Sequence, residues 1–329
     1  DVILKADALL NGNGGRVVVW AEEATNFRGA ISATGGKQGG DGGMVEVSGK
    51  GALWFRGRVN TSAPLGRRGT LLLDPTNITI VAGNGSGAAG AANGFWAFAE
   101  DAGSQTIGDT YLSGTLLPST DVTLQATNSI TANAGTNIFY AGTARTLTLQ
   151  AGGNISLNGA INISGNFVAS AGDAASGAAV AAASLTLSSA SITTSGNVTL
   201  NNAGSGGVSV VDTSVFAGGT VNLTASGTLT VQSANLSSAG PSIGATSIQS
   251  LGAQTINASG IVVQGGATGS NRSALVRSDA GQTITVGAGG IAINGGTGTN
   301  NWASISQTGA LSSQSITVNG GASVTQTGG

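Results

Sequence analysis

The chain of 329 residues contains no cysteine and no histidine. Without thiols it can hold neither a disulfide framework nor a thiolate metal site. Without imidazole it lacks the commonest metal ligand and general base. Charged residues make up only 8% of the sequence and aromatic residues 4%, with four prolines and a formal net charge of −2. A typical soluble domain is about a quarter charged, so the scarcity narrows the classes that remain. A membrane-spanning helix needs about 20 consecutive apolar residues, and no run approaches that length. Disorder goes with high net charge and few β-branched residues, whereas this chain is crowded with Val, Ile and Thr. A pI near 5.0 argues against nucleic acid as a partner. The opening residues, Asp1 to Leu10, have no basic start before a long apolar core and do not read as a signal peptide.

What is present is repetition. Short segments of apolar and small-polar alternation return along the chain: Val122 to Ala126, Leu147 to Ala151, Leu185 to Ser188, Val198 to Asn201, Val221 to Ala225. Their period of two puts Leu147, Leu149 and Ala151 on one face and Thr148 and Gln150 on the other. Between them lie turn-rich pieces such as Ala151 to Asn154 and Asn201 to Gly207, drawn from a pool of 57 glycines. Gly, Thr, Ser, Asn and Val are poor helix formers, so helix is nearly excluded. The spacings from Val198 to Val221 and from Val122 to Leu147 are too short for a strand, a helix and a return. They suit one turn of a solenoid made of two or three short strands. An antiparallel sandwich would also use short strands and glycine turns, but it has no need of near-identical strands at this period. With roughly 20–25 residues per turn the chain would make about 14 turns and a rod about 65–70 Å long. Val, Ile and Leu are expected inward, and Thr, Asn, Gln and Ser outward in hydrogen-bonded ladders.

Residues 15–82 are more specific. The runs Gly15-Arg-Val-Val-Val-Trp-Ala21, Phe27-Arg-Gly-Ala-Ile-Ser-Ala33 and Gly39-Gly-Asp-Gly-Gly-Met-Val-Glu-Val-Ser-Gly49 are followed by Thr61-Ser-Ala-Pro64. Then come Gly69-Thr-Leu-Leu-Leu-Asp-Pro-Thr-Asn-Ile-Thr-Ile80 and Thr120-Asp-Val-Thr-Leu-Gln-Ala-Thr-Asn-Ser-Ile130. In this order over about 115 residues the block resembles filamentous-haemagglutinin-like exoproteins of two-partner secretion systems; the remainder matches only the loose repeat style of that family. The resemblance implies an all-β, right-handed parallel β-helix, extracellular or at the cell surface, exported through an outer-membrane transporter barrel. It also implies roles in adhesion, aggregation or biofilm. The secretion domain of that family is not in this chain.

The expected organisation is a signature segment 1–82, an irregular connector or loop excursion 83–118, β-helix repeats 119–250, and a second repeat style over 251–329. That last part repeats Gln254-Thr-Ile256, Gln282-Thr-Ile284 and Gln314-Ser-Ile316 with Gly-Gly turns between, and breaks off mid-repeat at Gly328-Gly329. The chain is therefore expected to be a segment. Its uncapped ends, at Ile3 and Val324 among others, are expected to continue into more β-helix or to associate end to end into filaments.

β-Helices also carry polysaccharide lyases and hydrolases, which need clustered carboxylates. Acids are thin here: Glu22-Glu23 and Glu100-Asp101 are the only adjacent pairs, and after Asp212 only Asp279 remains. Neighbouring strand residues face opposite ways, so both pairs read as surface charge. No catalytic residue, cofactor site or metal site is assigned. Nine of the twelve Lys and Arg precede Gly69, with Arg56, Arg58, Arg67 and Arg68 close together. Arg56 and Arg58 share a face with Trp54, and Leu53, Phe55 and Val59 share the other. A solvated outer face is the ordinary meaning of such charges, and contact with a glycan or anionic polymer the functional one. Glycine pairs at Gly35-Gly36, Gly39-Gly40 and Gly42-Gly43 lack the Gly-Lys-Ser/Thr of a phosphate loop and read as corners.

Phe95, Trp96 and Phe98, with Tyr111 beyond, suggest packing of a loop or short helix over the rod, or a ligand contact. The Ala-rich run Ala169 to Ala183 is expected to protrude from a turn. Asn-x-Ser/Thr sites recur at Asn60, Asn77, Asn154, Asn197, Asn222 and Asn257, leaving glycosylation open. The functional expectation is a non-catalytic structural and adhesive fibre segment, touching surface glycans or proteins. The alternatives are a β-helical carbohydrate-active enzyme or the stalk of a contact-dependent toxin.

Overall fold

The computed structural model describes residues 2–84, 104–177, 179–234 and 245–328. The protein is all-β, with 57% strand and 4% helix. Among the described residues every pairing between strands is parallel, most between segments about one repeat apart in sequence. The strands fall into three ladders that the chain visits in turn. The first runs through Arg16–Ala21, Met44–Gly49, Thr70–Asp74, Asp121–Ala126, 145–151, 165–171, Val198–Asn202, 221–225, 254–258, 282–286 and Gln314–Val318. The second includes Asn77–Val81, Ser129–Ala132, Ile155–Leu157, Leu185–Ser188 and Val208–Val211. The third includes 137–140, 160–163, Ser191–Thr194, Ser214–Ala217 and Ala245–Ser250.

Alternation decides which side chains are enclosed. Val45, Leu71, Val122, Leu147, Phe167, Val198 and Val221 stack on one another along the first ladder. Each is at most 1% exposed. Leu73, Leu124, Leu149, Ala169, Leu200 and Leu223 form a second buried column two residues on. Each fully buried aliphatic side chain contributes about 1.5–3 kcal/mol, so a core of this kind needs no charges. The residues between them point outward and are mostly half-buried, and the amide of Gln125, itself 9% exposed, donates to that of Gln150 at 3.3 Å. Glycines mark the corners where successive circuits touch. A Cβ on Gly69 would sit 1.8 Å from the Gly43 carbonyl oxygen, a distance no side chain tolerates.

Several expectations need correction. The first ladder contains eleven described strands, hence ten steps and a stack about 48 Å long, shorter than the 14-turn rod. The difference lies in the connections: the step from Leu147 to Phe167 is short, but those from Leu71 to Val122 and from Phe167 to Val198 are long. The Ala-rich run does not protrude from its start, because Ala169 and Ala171 are buried strand residues. Gln254 and Gln282 face inward, each 1% exposed, where outward positions were expected. They occupy the inner column after Val221, and their amides satisfy one another, with Gln282 donating to Gln254 at 2.6 Å and Gln314 donating to Gln282. A buried amide is tolerated when its partners are supplied, and stacking like on like supplies them.

The expected connector 83–118 ends in ordered structure. Ser104–Gly108 lies against Asn77–Val81, and short helical turns over 109–116 follow. Those turns bury Leu112, Leu116 and Leu117, filling a place in the third ladder between Arg58–Asn60 and 137–140. Their terminal carbonyls are met by Arg145, 3% exposed, whose Nε donates to Leu117 O at 2.6 Å and Nη2 to Pro118 O at 2.8 Å. Phe95, Trp96 and Phe98, together with Glu100-Asp101, lie outside the described residues.

The inward placement of Leu149 and the surface placement of Thr148 yield a direct test. Leu149→Asp is expected to lower the unfolding midpoint sharply, by about 3 kcal/mol or more in stability, since it buries an unpaired charge. Thr148→Asp, one residue away, is expected to stay within about 1 kcal/mol. Urea melts of the two variants check this, and equal losses would contradict the inward–outward assignment.

Candidate ligand-binding face

The first three circuits hold nine of the twelve cations, and the fold pairs only some of them. Arg16 pairs with Glu46 at 3.2 Å, Lys50 with Glu22, and Arg67 with Asp41 at 2.9 Å. The Arg67 backbone N–H also donates to Asp41 at 2.8 Å, and these bonds hold the Asp41 carboxyl below the ordinary aspartate range. Farther along, Arg277 pairs with Asp279. Lys5, Arg28, Arg56 and Arg58, like Lys37 and Arg68, form none of the salt bridges among the described residues.

Strand periodicity explains where those four lie. Leu53, Phe55 and Val59 point inward as expected, each at most 2% exposed. Trp54, Arg56 and Arg58 do not make one flat face, because Gly57 turns the chain between the second and third ladders. Arg58 begins the third-ladder strand Arg58–Asn60, paired with Ala30–Ser32, which in turn pairs with Ile3–Lys5. Ile3, Ala30 and Arg58 stand in one outward column, Lys5, Ser32 and Asn60 in the next. The helical turns carrying Gly114, Thr115, Pro118 and Ser119 rise beside these columns and enclose a groove of about 480 Å³.

Arg56 occupies the corner behind. Its guanidinium lies 5.4 Å from the centre of the Tyr111 ring, and its Nη2 is buried without a hydrogen-bond partner. Burial lowers its pKa, Tyr111 opposes that, and Arg28 adds to the lowering. Tyr111 is fixed by its hydroxyl, which donates to Gly57 O, and by Phe55, itself stacked on Phe27 at 6.0 Å. Asp7 is the carboxylate near the groove, and it is already engaged. It accepts from Ser32 Oγ at 2.7 Å, from Thr34 N at 2.8 Å and from Thr34 Oγ1 at 3.0 Å. Burial raises its pKa, but these bonds and the charge of Lys5 outweigh that and hold it below the usual value.

A second feature escaped the sequence reading. Trp20, Ser48 and Asp74 stand at matching positions of consecutive first-ladder strands, beside Val18, Glu46 and Leu72. Asp74 has one carboxylate oxygen buried without a partner. Burial, and then the charge of Glu46, push its pKa up to about 6. The signal was the outward-facing position of both acids in their strands, visible only once the offset between circuits is known. Glu22, by contrast, is neutralised by Lys50 and belongs to no cluster. No group of three or more acidic residues is placed to hold a metal ion among the described residues. No helix there is long and apolar enough to cross a membrane.

No protein-family model matches the chain, and none of the curated proteins matches it either.

Asp74 makes stability depend on pH. Its folded-state pKa is raised, so its favourable contribution is complete below the unfolded value near 3.8 and is lost as pH rises through about 6. Asp74→Asn is therefore expected to stabilise the protein at pH 7.5 by roughly 1 kcal/mol, after allowance for partial solvent screening. At pH 4 the gain should vanish. Thermal melts at the two pH values check this, and a gain that does not change with pH would contradict it.

Proposed function

We propose that the chain is a length of right-handed parallel β-helix from a secreted bacterial surface fibre of the filamentous-haemagglutinin-like kind. It serves as structure and as an adhesion surface and catalyses nothing. The observation that carries the reading is the parallel register, in which each strand pairs with the strands one circuit before and after it. Such a stack lengthens without limit by adding circuits, which is the property a fibre requires. The family part is supported by where its motifs fall. Gly15 to Ala21, Gly39 to Gly49, Gly69 to Ile80 and Thr120 to Ile130 supply consecutive strands of the first ladder, one per circuit. Export through an outer-membrane barrel, an extracellular location and roles in aggregation or biofilm follow from that resemblance.

A carbohydrate-active enzyme is the second reading, favoured by the raised pKa of Asp74 beside Glu46. Hydrolases use a pair of carboxylates, one of them protonated to act as the acid. Trp20, 54% exposed, stands beside them.

Display of the chain on a non-adherent bacterium separates the two. The fibre reading predicts faster settling or surface attachment, and no release of reducing ends from neutral or acidic polysaccharides. Turnover abolished by Asp74→Asn or Glu46→Gln would favour the enzyme instead.

A further inference from the structure

We propose that the peptide bond between Asp74 and Pro75 is a self-cleavage site, cut by the Asp74 side chain in mildly acidic surroundings; this goes beyond the reading of the chain as a fibre and does not rest on it. Asp74 closes the strand Thr70–Asp74, and Pro75 makes the corner that leads into Asn77–Val81. The sequence holds no other Asp–Pro pair. Proline matters because its nitrogen carries no hydrogen and belongs to a tertiary amide. Such a nitrogen takes up a proton more readily than that of an ordinary peptide, and once protonated it leaves easily. The aspartate before it supplies the attacking oxygen. Its carboxyl reaches the carbonyl carbon of its own residue through a five-membered ring, and a nucleophile held within the molecule gains greatly over one from solution.

The state of this carboxyl sets it apart. Every other aspartate among the described residues accepts at least one hydrogen bond on its carboxylate. Asp74 has its Oδ1 buried without a partner. Ser48 stands beside it in the ladder, yet the Ser48 hydroxyl donates to Glu46 at 3.1 Å. A buried polar atom left unpaired is rare in a native fold and calls for a reason; freedom to turn onto the backbone is one. Glu46, paired with Arg16, is the charged group that faces Asp74. Trp20 and Ser48 on one side and Gln125 on the other are uncharged. Asp121 lies at the far end of its strand, level with Thr70, and Lys50 is engaged by Glu22. Burial, and then Glu46, push the Asp74 pKa up to about 6. Near that pH about half of the molecules hold the acid form, roughly a hundred times the share of an ordinary aspartate.

The acid form contains both groups that the step needs. Oδ1 adds to the Asp74 carbonyl carbon, the carboxyl proton passes to the Pro75 nitrogen, and the bond between that carbon and that nitrogen breaks. The products are a cyclic anhydride on Asp74 and a free secondary amine at Pro75. One water then opens the anhydride to two carboxyl groups, so the sum is addition of one water across the peptide bond. Asp74 is only partly buried, which admits that water. The reaction happens once per chain and turns over no substrate. The rod survives the cut, because Thr70–Asp74 stays paired with Met44–Gly49 and Asp121–Ala126. Asn77–Val81 likewise stays paired with Ser104–Gly108 and Ser129–Ala132. The first circuits thus lose their covalent link to the rest while the fold is kept, and the scission shows only on unfolding.

The test holds the full chain at pH 5 and at pH 8 and follows it by mass spectrometry under denaturing conditions. A cut between Asp74 and Pro75 is expected at pH 5, with Pro75 as the new amino terminus, and a rate about tenfold or more lower at pH 8. A peptide of residues 70–80 carries the same bond without the fold. At pH 5 it should be cut about tenfold more slowly than the folded chain, in proportion to its smaller acid fraction. Asp74→Glu keeps a carboxyl but enlarges the ring, and should lower the rate about tenfold or more; circular dichroism confirms that this variant is folded. An intact chain at pH 5, a peptide cut as fast as the folded chain, or a rate unchanged between pH 5 and pH 8 would overturn the proposal. All three comparisons use the unaltered sequence, so they hold even where the variant fails to fold.

Discussion

The hydrogen bonds of a strand such as Ser129–Ala132 run to Asn77–Val81 on one side and Ile155–Leu157 on the other. Within its own circuit that strand has nothing to pair with. Stability in this protein therefore passes from circuit to circuit, and side chains stand on the residues of like position above and below. This single constraint accounts for the composition. A position stacked on itself rewards residues that are compatible with copies of themselves: aliphatic groups inside, small hydroxyls and amides outside. Charges stacked in register repel, which gives a physical reason for a sequence with so few.

The buried glutamines show how far the rule extends. Gln254 and Gln282, both buried, and then Gln314, exposed on the next strand, continue a column that is aliphatic up to Val221. An isolated inward amide would cost stability, but a column of them satisfies itself. Asparagine does the same at the corners: Asn166 accepts from the Asn197 backbone and Asn197 from that of Thr220, each at 2.9 Å. The turn at 266–269 is closed in another way, by the buried Asn301 amide donating to the carbonyls of Gly266 and Gly269.

Much of this was legible in the sequence, because alternation of Val, Leu and Thr over a few residues fixes strand and face locally. Leu147, Leu149, Leu53 and Phe55 all lie where the pattern puts them. What could not be read was the offset between circuits, which varies with the loops that join them. That offset decides which distant residues become neighbours. It sets Asp74 beside Ser48, two residues along from Glu46, and leaves Arg58 level with Ala30, in none of the salt bridges among the described residues. Arg145 was passed over for the same reason, since its partners at Leu117 and Pro118 belong to turns whose packing the local pattern does not show. The polar inward column was misassigned because glutamine ordinarily faces solvent, and only its repetition at one register position makes burial tolerable.

The central claim is that like positions are stacked at one ladder spacing per circuit. The absence of native cysteine makes paired spin labels at introduced cysteines a clean probe of it. Thr148 and Thr283 face outward on the first ladder and are separated by five steps, through Val168, Thr199, Asn222 and Thr255. Dipolar spectroscopy on the double variant should give a narrow distance distribution near 24 Å, and moving the first label to Thr123 should lengthen it by about 5 Å. Broad distributions, or a distance that does not grow by one ladder spacing with that shift, would contradict the account.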